Sequence, residues 1–291
     1  MIFEGSGVAL VTPFNEKNEV DYFILKKLID YQISNGTKAL IILGTTGESP
    51  TITMAEREKI IKFCVYIANG QIPIIVGTGS NSTETTIYLT LQAKRLGASG
   101  ALIVTPYYNK CNQNGLFEHY KKIALKTKFP MIIYNVPSRT GVNIQPETVL
   151  KLSKFNNIVG IKEASGNMIQ IEKLIHILPS NFAVYSGDDC LTLPMLSIGA
   201  KGVISVTANA YPNQVSVLCN YALKNDYSNA LIIHNKLFEI CQALFLDINP
   251  ICIKTYMKFL GFNVGSPRLP LTTPSNEIIK KLKEVKNKYE N

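Results

Sequence analysis

A lysine within an apolar segment is the residue in this chain best placed to do chemistry. Lys162 stands in the run Ile158–Glu163, where every preceding residue is aliphatic or glycine. Burying a charged amine is costly unless the charge is paired or lost. Two interpretations are open: the lysine reaches solvent from the end of a strand, or it is a neutral amine that forms a Schiff base with a carbonyl substrate.

Hydroxyl groups and one arginine follow other apolar segments. Thr45 and Thr46 lie between two glycines, in either an ordinary glycine-rich turn or a set of donors for a small anion. Tyr134, tied to the hydroxyls of Thr45 and Tyr108, could move the protons that imine and enamine formation require. The planar guanidinium of Arg139 suits a carboxylate. Together with the lysine, these residues predict a class I aldolase-like site for a keto acid.

The elements that must position these residues are eight short apolar segments separated by stretches of helical periodicity. The strand candidates are Gly7–Thr12, Lys38–Leu43, Ile72–Gly77, Gly100–Thr105, Met131–Asn135, Val159–Glu163, Ala183–Ser186 and Gly202–Val206. Their nearly continuous apolar character is typical of strands covered on both faces. Eight such units predict an α/β fold, a (β/α)8 TIM barrel, because closure gives every parallel strand two neighbours. An open doubly wound sheet is the alternative, but no dinucleotide or P-loop motif supports it.

The strand pattern stops near residue 210, and helical segments follow it. They are predicted at Gln214–Lys224, Ser228–Phe245, Ile251–Leu260 and Asn276–Tyr289. We therefore predict a catalytic barrel over residues 1–224 and a C-terminal helical domain, packed on the barrel, over residues 225–291.

Position in the predicted barrel decides which residues can meet. Active sites of such barrels lie at the C-terminal ends of the strands. Tyr134 and Lys162 stand at comparable depth on neighbouring strands, and an interstrand spacing of ~4.8 Å lets a phenol reach an amine. Gly187, Asp188 and Ile204 lie at the ends of the last two strands and are expected to complete the rim of the substrate site.

Composition argues against several other classes of protein. The 291 residues are 46% hydrophobic and 18% charged, which excludes a disordered chain. No apolar run approaches the ~20 residues of a membrane span and the first residues lack a signal-peptide pattern, so a cytoplasmic protein is expected. The net charge of +9 is spread along the chain, which argues against nucleic-acid binding. Six cysteines without a CxxC pair and three histidines without metal-ligand spacing predict neither a disulfide framework nor a metal site.

Six motifs together resemble the dihydrodipicolinate synthase family of pyruvate-dependent lyases. They are GTTGE (44–48), TPYYN (105–109), YNVPSRTG (134–141), GIKEASG (160–166), SGDD (186–189) and GVISVTAN (202–209). The similarity covers essentially the whole chain. The resemblance implies condensation of pyruvate with L-aspartate 4-semialdehyde to 4-hydroxy-tetrahydrodipicolinate, the first committed step of diaminopimelate and lysine biosynthesis. It also implies a homotetramer built as a dimer of dimers, and no cofactor.

The resemblance implies a role for each matching residue. Lys162 would form the imine with pyruvate. Tyr134 would donate and accept protons, linked through Thr45 to Tyr108 of a neighbouring subunit. Arg139, at the entrance, would bind the carboxylate of the semialdehyde. Thr46 and the backbone of Ile204 would hold the pyruvate carboxylate.

Two other functions remain as alternatives. N-acetylneuraminate lyases and 2-keto-3-deoxy-sugar-acid aldolases belong to the same superfamily and keep the lysine and tyrosine, but they usually lack the arginine of YNVPSRTG. Arg139 together with Thr45 and Thr46 therefore favours the synthase. A barrel scaffold without catalysis is the non-enzyme alternative, and the intact Lys162 and Tyr134 argue against it.

A regulatory site is also implied by the resemblance. Lysine-sensitive members bind lysine at a dimer interface near the counterparts of Ser49, Pro50, Met54, Arg57, Asn81 and Tyr107. A polar ligand is frequent in the family where this chain has Met54 and Arg57. A thioether accepts hydrogen bonds only weakly, and a guanidinium repels ammonium groups. Weak or absent inhibition by lysine is therefore predicted.

Overall fold

A computed structural model describes residues 1–290, and eight parallel strands in it close into a barrel. The strands are β1 (Gly5–Ala9), β2 (Ala39–Ile42), β3 (Ile74–Gly77), β4 (Gly100–Val104), β5 (Met131–Asn135), β6 (Ile158–Glu163), β7 (Ala183–Ser186) and β8 (Gly202–Ser205). Each strand pairs with the next along the chain, and β8 pairs with β1. The predicted (β/α)8 TIM barrel is confirmed, and the open doubly wound sheet is excluded.

The helices fill the connections and the C-terminal part. They are α1 (Tyr22–Ser34), α2 (Met54–Ala68), α3 (Thr83–Arg95), α4 (Gln113–Thr127), α5 (Pro137–Thr140), α6 (Pro146–Leu152), α7 (Met168–Ile177), α8 (Thr192–Ser197), α9 (Pro212–Leu223), α10 (Tyr227–Ala243), α11 (Ile251–Phe259) and α12 (Asn276–Glu290). Each of the first four begins after a side chain that accepts a hydrogen bond from a backbone N–H of the first turn. These four capping residues are Asp21, Thr53, Ser82 and Asn112. Such caps define where a helix starts, because the first N–H groups have no partner within the helix.

The first strand is the one whose predicted bounds differ most from the structure. The sequence predicts Gly7–Thr12, whereas β1 is Gly5–Ala9. At the end of β1 a side chain bonds the backbone as well as β2 does. Asn209 donates to the carbonyl of Ala9 at 2.8 Å and accepts from the N–H of Val11 at 3.0 Å, while the N–H of Leu10 donates to the carbonyl of Ile41 at 2.9 Å. The apolar run continues past this last bond to β2.

An aromatic pair closes the end of the barrel where the strands begin. The rings of Phe3 and Tyr185 stack with centroids 4.4 Å apart, and the Tyr185 hydroxyl donates to the Phe3 carbonyl at 2.6 Å. A Cβ at Gly7 would lie 2.8 Å from the Phe3 ring, so glycine is required there for this close approach. The opposite end, where the strands finish, is left open for a site.

The C-terminal helices pack on one another and reach back to the barrel. Helix α10 contacts α9 and α12, and α12 also contacts α11. Lys254 of α11 forms an ion pair with Glu48, which lies after β2. The division of the chain into domains at residue 224 stays a prediction. No helix within residues 1–290 is long and apolar enough to cross a membrane.

Candidate active site

Lys162 lies near the end of β6 and is buried at 5% exposure. Strand register places it beside Tyr134 of β5, and its Nζ lies 4.5 Å from the centroid of the Tyr134 ring. Burial lowers the pKa of the amine to about 8, an effect that nearby Asp189 opposes and Arg139 reinforces. The amine does not reach bulk solvent as a snorkelling lysine would, and it faces a cavity. Because its pKa is about 8, about a tenth of the amine is uncharged near pH 7.

Tyr134 is the phenol next to this amine. The residue is 7% exposed, and burial raises the pKa of its hydroxyl. The charge of Arg139 and the Thr45 hydroxyl oppose that rise. The phenol is therefore protonated near neutral pH, and the Thr45 hydroxyl lies in the wall of the same cavity.

A cavity of about 360 Å³ at the C-terminal ends of the strands gathers most of the predicted site. Its walls include Lys162, Tyr134, Thr45, Thr46, Arg139, Gly187 and Asp188. Ile204 is fully buried in the barrel interior and does not line this cavity. The volume suits a small molecule, with an amine, a phenol and a guanidinium around it.

Tyr108 is not brought to this cavity by its own chain. The residue is 90% exposed and its φ of +69° lies in the left-handed region, which is uncommon for an aromatic residue. The hydroxyl series from Tyr134 through Thr45 to Tyr108 is therefore not assembled within a single chain.

Asn249 belongs to the site and was not predicted. Its side-chain amide donates to the Thr46 hydroxyl at 2.9 Å, and its backbone carbonyl accepts from the Arg139 guanidinium at 3.1 Å. One residue from the C-terminal part thus holds two predicted substrate-binding side chains. No local pattern could identify Asn249, because it stands 203 residues from Thr46 in the sequence.

Asp189 is a second residue that sequence reasoning did not single out. Its carboxylate accepts hydrogen bonds from the Ser205 hydroxyl and from the backbone N–H groups of Val206 and Thr207. It thereby fixes the chain just beyond β8, and its charge raises the pKa of Lys162. The second aspartate of SGDD was the available signal, since a carboxylate at the end of a barrel strand is a candidate for function.

A buried ion pair holds the loop that carries the two threonines. Glu48 and Lys254 are each 1% exposed, and the amine lies 2.7 Å from the carboxylate. The other carboxylate oxygen of Glu48 accepts from the backbone N–H of Arg268 at 2.8 Å. The Phe14 ring packs against the Lys254 amine and the Arg268 guanidinium, and its centroid lies 4.2 Å from each of these cations. This cluster ties the Gly44–Ser49 loop to the C-terminal part.

Replacing Lys254 with methionine should destabilise the fold strongly. The carboxylate of Glu48 would stay buried without its cation, which typically costs about 3–5 kcal/mol. The free energy of unfolding in urea measures the effect. The matched double variant Glu48→Gln, Lys254→Met should recover most of the loss, because no unpaired charge remains. A loss below about 1 kcal/mol in the single variant would contradict this account.

A second cavity of about 470 Å³ adjoins the first and contains most of the predicted regulatory residues. Ser49, Pro50, Met54, Arg57 and Tyr107 line it, whereas Asn81 does not. Arg57 is 3% exposed and donates to the carbonyl of Gly77 at 2.5 Å. Burial lowers its pKa to about 10. Among residues 1–290, no carboxylate forms an ion pair with Arg57, so its positive charge stands uncompensated in the wall.

Comparison with known proteins places the chain in one family. The model of the dihydrodipicolinate synthetase family matches residues 2–288. A protein of Aquifex aeolicus named 4-hydroxy-tetrahydrodipicolinate synthase is 50% identical over 289 residues, with 99% of this chain and 98% of that protein covered. A protein of the same name from Alkaliphilus oremlandii is 48% identical, with 96% of each chain covered.

Solved structures agree with these sequence relatives. The crystal structure of dihydrodipicolinate synthase from Thermotoga maritima has a TM-score of 0.98 at 43% identity and covers 100% of this chain and 99% of that one. The enzyme from Aquifex aeolicus has a TM-score of 0.96 at 49% identity and covers 99% and 98%. Sequence and fold agree over nearly the full length, and the chain belongs to the dihydrodipicolinate synthetase family.

Proposed function

We propose that this chain condenses pyruvate with L-aspartate 4-semialdehyde through a Schiff base on Lys162 and yields 4-hydroxy-tetrahydrodipicolinate. The observation that carries the proposal is the juxtaposition of a buried amine of lowered pKa with the Tyr134 phenol in one cavity. Curated relatives of nearly the same length bear the name of this activity. The reaction is the first committed step of diaminopimelate and lysine biosynthesis.

Imine formation begins with the uncharged Lys162. Its nitrogen attacks the keto carbon of pyruvate, and a proton moves from that nitrogen to the former carbonyl oxygen to give a carbinolamine. Tyr134 protonates the hydroxyl, which leaves as water while the C=N bond forms. The Thr45 hydroxyl lies in the wall of the same cavity and relays protons to and from that phenol. Thr46, in the wall of the cavity, holds the pyruvate carboxylate meanwhile.

Carbon–carbon bond formation follows from the imine. The Tyr134 phenolate takes a methyl proton from the protonated imine and gives an enamine. The enamine carbon attacks the aldehyde of the second substrate, and the resulting alkoxide takes that proton back from Tyr134. Arg139 binds the carboxylate of that substrate, with Gly187 and Asp188 at the rim. The amino group of the adduct then attacks the imine carbon, closes the ring and releases Lys162. The covalent imine on lysine serves in place of a cofactor.

We further propose a cytoplasmic homotetramer, arranged as a dimer of dimers, in which Tyr108 completes the site of a neighbouring subunit. The support is the exposure of Tyr108 on its own chain together with its left-handed backbone. An exposed aromatic residue in an uncommon conformation is easier to account for when a second copy covers it.

A coupled assay with two aldehydes tests the proposed function. Pyruvate with L-aspartate 4-semialdehyde should give rapid turnover, and pyruvate with N-acetylmannosamine should give none above background. Preference for the sugar would instead indicate a neuraminate-lyase activity. If pyruvate and borohydride leave no mass adduct on the chain, the non-catalytic scaffold is the correct interpretation.

Inhibition by lysine is expected to be weak or absent. The guanidinium of Arg57 lies in the wall of the cavity proposed for regulation without a carboxylate partner, so it would repel the ammonium groups of a bound lysine. Met54 in the same wall offers only a thioether. Steady-state rates across a lysine titration measure this, with glycine at equal concentration as the control. Half-maximal inhibition at sub-millimolar lysine would show that this description of the site is wrong.

A further inference from the structure

Two cysteines line the cavity of the proposed active site from two elements that pack together. Cys190 lies in the 3₁₀ turn Asp189–Leu191 directly after β7, and Cys241 lies in α10. Both line the cavity that contains Lys162. The turn packs against α10, each of the two thiols acts on the pKa of the other, and the Cys241 sulfur accepts a hydrogen bond from the Thr207 hydroxyl at 3.4 Å. The mechanism above uses neither thiol.

The two thiols differ in accessibility in the way an oxidisable pair requires. Cys190 is half-buried and reachable from the cavity, whereas Cys241 is 4% exposed. The neighbouring Cys241 thiol lowers the pKa of Cys190, although burial and the neighbouring aspartates oppose this. An accessible thiol of lowered pKa beside a second thiol is the arrangement in which one sulfur attacks a peroxide and the other sulfur resolves the product.

A metal site is a poorer account of the same pair. Structural zinc sites need four ligands and catalytic ones three. Residues 1–290 contain no group of three or more histidine, cysteine or acidic side chains suited to a metal ion. Two sulfurs alone therefore point to redox chemistry.

We propose that Cys190 and Cys241 form a modification site that a peroxide oxidises to a disulfide, with loss of activity. The Cys190 thiolate attacks a peroxide oxygen, which gives a sulfenic acid and releases hydroxide. The Cys241 thiol then attacks that sulfur, the S–S bond forms, and water leaves. In sum, two thiols are oxidised, one hydrogen peroxide is reduced, and two waters form. A thiol reductant reverses the change.

The position of Cys190 explains why the disulfide would affect catalysis. It directly follows Asp189, whose carboxylate fixes Val206 and Thr207 and acts on the charge of Lys162. A covalent bond to α10 displaces this turn and the cavity wall. Shifts on the order of 1 Å in an active site can lower rates by about 10²-fold.

Peptide mass mapping of the whole chain after peroxide treatment tests the proposal. We expect a cross-linked peptide pair containing Cys190 and Cys241, lighter by two hydrogens, and its loss on reduction. Cys190→Ser should not form it, whereas the matched control Cys111→Ser, at another half-buried cysteine, should form it as the wild type does. Absence of the cross-link in the wild type, or its persistence in Cys190→Ser, overturns the proposal.

The second measurement follows the site itself. Borohydride capture of pyruvate should slow by about 10²-fold in the oxidised chain and recover with reductant, and Cys190→Ser should be insensitive to peroxide. Unchanged capture in a fully cross-linked sample would overturn the predicted loss of activity. The capture readout depends on the proposed function and the mass readout does not, so the two failures are distinguishable.

Discussion

Replacing Lys162 with alanine should abolish covalent capture of pyruvate while the barrel remains folded. The imine needs a nitrogen at this position, and alanine provides none. The Lys162 side chain lies in the cavity at the open end of the barrel. Its removal therefore leaves the Phe3–Tyr185 stack at the opposite end of the barrel in place. Turnover should fall to the background rate.

Borohydride trapping followed by peptide mapping measures this capture. The wild-type chain contains its own control, because Lys254 is also buried and its pKa is also lowered to about 8. That amine is bound to Glu48 and does not line either cavity, so the adduct should map to Lys162 and not to Lys254. Robust turnover by Lys162→Ala, with circular dichroism unchanged, would remove the lysine from the mechanism.

The pH dependence of trapping gives an independent check on the same amine. A lowered pKa of about 8 means that the uncharged fraction rises roughly tenfold per pH unit below this value and levels off above it. The initial trapping rate should follow that curve. An amine with the ordinary pKa near ~10.4 would still be gaining reactivity at pH 9.

The bounds of a strand were predictable where its apolar run ends at the same residue as its pairing with neighbouring strands. Met131–Asn135 and Ala183–Ser186 agree with the structure at both ends. The first strand ends before its predicted end, at the point where Asn209, some 200 residues away, bonds the carbonyl of Ala9 and the N–H of Val11. The apolar pattern shows that residues before and after Ala9 are buried. It does not show whether a neighbouring strand or a side chain bonds their backbone, which only the fold determines.

The candidate site also contains residues that local sequence identifies and residues that only the fold identifies. Lys162 stood out because a charge in an apolar run is a local anomaly, and its register with Tyr134 follows from equal depth on adjacent strands. Asn249 and Asp189 act by holding other groups, over distances in sequence that no motif spans. The residues proposed to react are therefore recognisable from the sequence, whereas the residues that hold them in position required the fold.

Replacing Tyr134 with phenylalanine should lower turnover by about 10²–10⁴-fold, the range typical of a lost general acid–base group. The ring that packs beside Lys162 remains, and only the hydroxyl that interacts with Thr45 is removed. Pyruvate capture should be slowed rather than abolished, because the nucleophile is intact. The loss should fall on kcat more than on KM, since proton transfer is a transition-state interaction.

Tyr185→Phe is the matched control for that variant. It also removes one buried phenol hydroxyl from a barrel strand, but this hydroxyl bonds the Phe3 carbonyl, and Tyr185 lines neither cavity. Some stability should be lost, because the Phe3 carbonyl loses its partner, while turnover per folded chain stays near the wild-type value. If Tyr134→Phe loses less than about threefold, or no more than Tyr185→Phe, the phenol is a packing group and the proton must move by another route.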